Sequence, residues 1–399
     1  MPPTDPLHPL LQQLGATFIP YGPADTNHPL EIADTFGAYE PEYAAIRKGA
    51  GFMHTPQRSL IEVTGSARLD FLHRMLTHST RDLQPGAGRR AFLLSNTGRI
   101  TADLLVLHTQ PVTYLLAHRH HAPQLIATLN RYLLTEDVQL HDASDTYTLF
   151  ALHGPAAAAL LSHALDAETP TLSNLDNHTL TLAGQPTQLF RHDETGEPGL
   201  HLAVPNPLAA DLYHRLLAHT GPDTPDHRLR NRCRPIGWSA FNTARIEAGT
   251  PIFHIDFGPD SLPHETGLLH QAVSFTKGCY LGQEIVARMQ NLGHPKRLLV
   301  GLRLPDHRLP IAGAQVFEHP QPPPPTNHPT QPQPHPHATT PLAGSPIGAV
   351  TSSTISPMLG GIAIAFAMIK WGFHHPDTPV AVPAEGQLAP ARVHPLRFI

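Results

Sequence analysis

Phe275-Thr276-Lys277-Gly278-Cys279-Tyr280-Leu281-Gly282-Gln283-Glu284-Ile285-Val286-Ala287-Arg288 is the densest run of chemically distinctive residues in this 399-residue chain. Lysine occurs only at positions 48, 277, 296 and 370, and two of these fall in or just beyond the run. From Lys277 to Arg303 five cations face one acid, Glu284, a local charge of +4 in a chain whose net charge is −5. A basic excess on an acidic chain attracts an anionic ligand. Gly278 and Gly282 permit close backbone approach or a positive φ. An extended Lys277–Cys279 would set the ammonium and the thiol on one face, and the cation would favour the reactive thiolate. Cys279 is thus the candidate nucleophile, against the commoner fate of a lone cysteine as a small buried hydrophobe. Cys233 has cationic neighbours but no accompanying motif and reads as structural.

The composition around this run narrows the classes. The length predicts two to three domains. The acidic balance excludes a surface coated for nucleic acid. Two distant cysteines make neither a disulfide framework nor a C-x-x-C pair. No histidine spacing marks a metal site, so no metal is expected. MPPTDPLHPL lacks the charged and apolar regions of a signal peptide, and the longest apolar stretch, Gly360 to Ile369, is half a bilayer span. A cytoplasmic protein without membrane or nucleic-acid partners is expected. The 44 Pro and 30 His read mainly as compositional bias. Ten of the prolines crowd into residues 320–341, which predicts an extended excursion rather than a packed element.

Element patterns then predict an α+β chain. Residues 1–35 read as an irregular arm. Residues 36–145 read as a first α+β unit: a short helix from Glu42, a strand at Leu60–Val63, and a helix capped by Ser66 with Leu69, Leu72, Met75 and Leu76 on one face. Asn96-Thr97-Gly98 joins two strands in a hairpin. A second unit, 146–296, begins with strand Tyr147–His153 and helix Ala156–Leu165 and carries the lysine–cysteine run. From residue 297 to 399, short strands with Gly and Pro turns predict a small β barrel, interrupted by a Pro/His-rich loop at 319–342.

Lys277 to Glu284, K-G-C-Y-L-G-Q-E, closely resembles the signature of the YgfZ-type folate-binding proteins, relatives of the glycine-cleavage T-protein, the aminomethyltransferase. The likeness extends to Phe71-Leu72 through Thr77, to Gly98-Arg99-Ile100 with Asp103, to Thr195-Gly196-Glu197-Pro198-Gly199, to Arg245-Ile246-Glu247-Ala248-Gly249, and to Val350-Thr351-Ser352. It implies a T-protein-like cloverleaf of three subdomains around a central channel. It also implies tetrahydrofolate or a derivative as ligand, and iron–sulfur assembly proteins or clients as partners. The ligand-binding residues it implies are Glu197, Arg245, Gly278, Tyr280, Gly282, Gln283 and Glu284, with Cys279 as the working thiol and Lys277 tuning it or meeting the folate tail. Glu197 suits the pterin, because a carboxylate accepts two parallel hydrogen bonds from its 2-amino group and ring N–H. Arg245 suits the anionic tail or an ion pair with Glu247.

One departure bears on activity. The T-N-D triplet of the aminomethyltransferases reads Thr77-His78-Ser79, without its carboxylate, and Asp82 follows three residues on. A folate-binding accessory protein for iron–sulfur assembly or repair is therefore the expected function. The alternative is a folate-dependent one-carbon transferase or demethylase using His78 or Asp82.

Overall fold

The computed structural model describes residues 5–22, 30–319 and 344–399. Three β systems organise them. The first is a five-stranded antiparallel sheet in the order Gly88–Leu94, Ile100–His108, Thr113–His118, Arg58–Thr64, Gln139–Asp142. Its helices are Arg68–Met75 and Ala122–Asn130, whose Phe71, Leu72, Leu125 and Leu129 bury against Ile61, Leu104 and Leu115. The expected Ser66 cap is not made: Ser66 gives both its amide and its hydroxyl to Asp137, each at 2.8 Å.

The second is a six-stranded sheet in the order Asn177–Leu182, Gln185–Arg191, Gly199–Pro205, Tyr147–His153, Ala50–His54, Cys233–Pro235, the last strand parallel to its neighbour. The chain thus lays Ala50–His54 into this sheet before it builds the five-stranded one. Helices Ala157–Leu165 and Asn206–Leu217 cover it, the latter opening with Pro207 where no intrahelical N–H is needed. Cys233 is buried in the same core, as its structural reading requires.

The amino-terminal segment read as irregular contains helix His8–Gln13 and a two-stranded sheet of Thr17–Tyr21 and Leu30–Thr35. The physical reason is apolar burial: Leu7 and Leu11 dock into the core of the six-stranded sheet.

The third system is a closed six-stranded barrel in the order Arg297–Arg303, Ile362–Lys370, Pro346–Ser356, Gln315–Glu318, Pro379–Ala384, Gln387–His394. Closure pairs Gly301–Arg303 with Arg392–His394 and removes both sheet edges. Apart from residue 319, the Pro/His-rich excursion lies outside the described residues or at their edge. No helix among the described residues is long and apolar enough to cross a membrane.

Candidate functional site

A cleft opens where the five- and six-stranded sheets meet, roofed by residues 250–253 after helix Trp238–Glu247. Its polar lining is Arg58, Arg90, Asp103, His118, His192 and Glu194. Strand register brings the first ion pair together. Arg90 lies opposite Leu105, so Asp103 is its diagonal neighbour on the same face. The pair is bidentate, Nε to Oδ1 at 2.9 Å and Nη2 to Oδ2 at 2.5 Å. Arg58, at the start of its strand, reaches across to Glu194 in the turn that follows strand Gln185–Arg191.

Burial works against the Glu194 charge, but Arg58 and the histidines beside it overcome that and hold the carboxyl below its ordinary range. The cleft histidines go the other way. Burial pushes His118 down to about 3 and His192 down to about 4, so both stay neutral near pH 7. Both cleft carboxylates, Asp103 and Glu194, are paired with guanidinium groups.

The turn at 194–198 also carries Glu197, which does not enter this lining. Its Oε1 is 3.4 Å from Arg47, and its side chain is 29% exposed. Arg47 also donates to the Thr195 carbonyl at 2.7 Å and to Glu247 at 2.5 Å, pinning the turn against helix Trp238–Glu247. Gly196, at φ +81°, supplies the left-handed residue the turn needs.

Arg245 is 1% exposed and fully engaged. It bonds Asp256, the Ser352 hydroxyl at 2.6 Å, Asn242 at 2.9 Å and the Thr250 carbonyl at 3.3 Å. The expected Arg245–Glu247 pair does not form. Glu247 instead accepts from Arg47, from Tyr43 at 2.5 Å and from Ser356 at 2.5 Å. Arg245 thereby fixes the loop whose residues 250–253 roof the cleft, and ties it to barrel strand Pro346–Ser356.

The lysine–cysteine run is a bent, irregular segment leading into helix Gln283–Leu292, not an extended strand. Lys277 turns to the end of helix Arg68–Met75. Its ammonium donates to the carbonyls of His73, Leu76 (2.5 Å) and His78 (3.4 Å) and lies 4.9 Å from the Tyr280 ring centre. Cations at a helix carboxyl end satisfy orphan carbonyls and the macrodipole together. Burial, with Arg81 adding to it, pushes Lys277 down to about 8. Cys279 is exposed. Tyr280 is buried among Phe92, Leu94, Ile100, Phe253 and Val286, and Phe253 in turn lines the cleft.

The two glycines differ. Gly282 sits at φ +79°, and a Cβ there would stand 2.6 Å from the Ser95 carbonyl. Gly278 has open space and no left-handed φ. Gln283 and Glu284 form the first turn of helix Gln283–Leu292, where an acid suits the dipole. Thr77 is buried and bonds the Ala272 carbonyl at 2.6 Å, while Asp82 is clamped by Arg89 and Ser79, whose hydrogen bonds pull it down to about 2.

The profile of the GCVT N-terminal domain matches residues 7–277, and that of the glycine cleavage T-protein C-terminal barrel domain matches residues 325–399. The chain belongs to the glycine cleavage T-protein family. The aminomethyltransferase of Streptomyces avermitilis is 29% identical over 399 residues, covering 99% of this chain and 96% of its own length. That of Streptomyces coelicolor is 28% identical over 390 residues, covering 96% and 94%. The crystal structure of the glycine cleavage system aminomethyltransferase T from Bartonella henselae shares the fold at TM-score 0.81 and 24% identity, over 99% of this chain and 97% of that one. Within this T-protein fold, Arg58, Arg90, His118, His192 and Glu194 are the cleft residues that sequence reasoning missed. They sit on four separate segments with no motif, and only the T-G-E turn beside Glu194 pointed to the neighbourhood.

Proposed function

We propose that this T-protein-family chain binds tetrahydrofolate or a derivative at the cleft between the two sheets, and serves as an accessory protein in iron–sulfur assembly or repair. The observation that carries the reading is the state of the acids. Asp103 and Glu194 are both committed to guanidinium partners, and Asp82 is clamped by Arg89, which leaves these acids poorly placed to take a proton from an aminomethyl donor. The exposed Cys279 in K-G-C-Y-L-G-Q-E supplies a reactive group of another kind. In this reading the ligand extends from the cleft along the 194–198 turn, so that Glu197, just outside the cleft lining, meets the pterin, Arg245 and Lys277 act as positioning residues, and Gly282 seats the loop on the 95–98 turn. Titration of wild type and Glu197→Ala with tetrahydrofolate tests it. Saturable micromolar binding, weakened in the variant, is expected; no saturable binding by wild type overturns the folate half. For the thiol, Cys279→Ala is expected to lose rescue of iron–sulfur enzyme activity in a deletion strain, and full rescue makes the thiol incidental.

The relatives' shared name favours a second reading, folate-dependent aminomethyl transfer. Its signature is turnover of an aminomethyl donor to methylene-tetrahydrofolate by the purified chain.

A further inference from the structure

Three buried side chains, one of them in the cleft wall and two behind it, are given no part in the folate reading. His153 closes strand Tyr147–His153, and His201 lies on strand Gly199–Pro205. Gly199 pairs with His153 and His201 with Ala151, so the two histidines are diagonal neighbours on one face, ring centres 5.4 Å apart. Glu194 joins them from the turn. One ligand atom from each of His153, Glu194 and His201 lies within 4.8 Å of the others, and all three residues are buried.

Their hydrogen bonding is incomplete. Both ring nitrogens of His153 and Oε2 of Glu194 lack hydrogen-bond partners among the described residues. Buried polar atoms are seldom left so, because each gives up its hydration without receiving a partner in return. The other Glu194 oxygen is held by Arg58, which leaves Oε2 3.5 Å from Nε2 of His201. A Cβ at Gly199 would stand 2.2 Å from the His192 carbonyl oxygen and 3.2 Å from Nδ1 of His153, so glycine is what allows the groups to converge.

We propose that His153, His201 and Glu194 form a binding site for a divalent transition-metal ion of the zinc type. Two imidazoles and a carboxylate suit Zn2+ rather than a soft monovalent ion, and three protein ligands leave a position for water. Arg58 is the outer partner that orients the carboxylate. His201 Nε2 lies 3.2 Å from the His192 carbonyl, so binding exchanges that hydrogen bond for a metal bond or engages the other ring nitrogen. Glu194 also lines the cleft, which gives the ion an entry path. The site does not depend on the folate reading.

The test uses full-length chain with His328, His335 and His337 changed to Asn and Cys279→Ser, so that neither the histidine-rich segment nor the exposed thiol competes. After chelator treatment, ZnCl2 is titrated calorimetrically without folate. One equivalent per chain and a zinc-dependent rise in Tm are expected. Adding Glu194→Gln or His201→Asn is expected to weaken binding by at least about tenfold and abolish the rise. Where a variant fails to fold, X-ray absorption of the zinc-loaded parent decides, with two-imidazole scattering expected. No zinc binding, undiminished binding in folded variants, or a spectrum without imidazole overturns the site.

Discussion

Arg245–Asp256 is a buried arginine–carboxylate pair and Arg58–Glu194 a largely buried one, yet their surroundings finish them differently. Asp256 also accepts from the Ile252 amide at 2.8 Å, Thr351 at 3.0 Å and Ser352 at 2.5 Å, so helix, loop and barrel all close on it. Glu194 keeps one oxygen without a hydrogen bond among the described residues, beside His153, whose two ring nitrogens are likewise open. A satisfied pair is architecture, because every desolvated lone pair is returned a partner. A half-satisfied pair is held in place by the fold but leaves bonding capacity for something the chain does not itself contain.

The contrast is sharpest in stability. Asp256→Ala strands the Arg245 charge and is expected to cost about 3–5 kcal/mol in urea denaturation. Glu194→Gln keeps a hydrogen-bonding oxygen for Arg58 and is expected to cost less, about 1–3 kcal/mol. If the order of the two losses were reversed, the division between architecture and open site would be broken.

The cleft side also has a pH signature. His118 is neutral when folded, with its pKa depressed to about 3 by burial, and takes up a proton on unfolding below about 6.5. Its contribution is therefore present above about pH 6.5 and is lost as pH falls towards about 3, at roughly 1.4 kcal/mol per pH unit. Denaturation midpoints from pH 7 to 5 are expected to fall less steeply in His118→Gln than in wild type; parallel curves would remove His118 from the account.

The same distinction, scaled down, divides the glycines of the 277–284 run. Gly282→Ala meets both a left-handed φ and the Ser95 carbonyl, and is expected to lose about 1–3 kcal/mol. Gly278→Ala is expected to stay within about 0.5 kcal/mol. Equal losses would show that the loop is seated by something other than the close approach at Gly282.

Much of this architecture was legible in local pattern. Strand Tyr147–His153 stands where alternation and turn residues place it, and helix Ala157–Leu165 differs from expectation by one residue. Two barrel strands, Pro379–Ala384 and Gln387–His394, are not legible in local pattern, because proline within each run argues against a strand. Here both pair along their length as members of a closed barrel. The amino-terminal helix was missed for a different reason: Leu7 and Leu11 gain nothing until the distant six-stranded sheet exists to receive them.

The sequence by itself pointed to the T-protein family, through short matching runs spread from Phe71 to Ser352, and it determined the α+β class and the barrel, through periodicities of a few residues. Only the tertiary structure decided what each charged residue does. Lys277 serves a helix end 201 residues away in the chain at Leu76, Arg245 serves Asp256 rather than Glu247, and Glu194 rather than Glu197 enters the cleft. The reason is physical: an ion pair is fixed by distance and desolvation, and both are set by which strands lie side by side, not by which residues are neighbours along the chain.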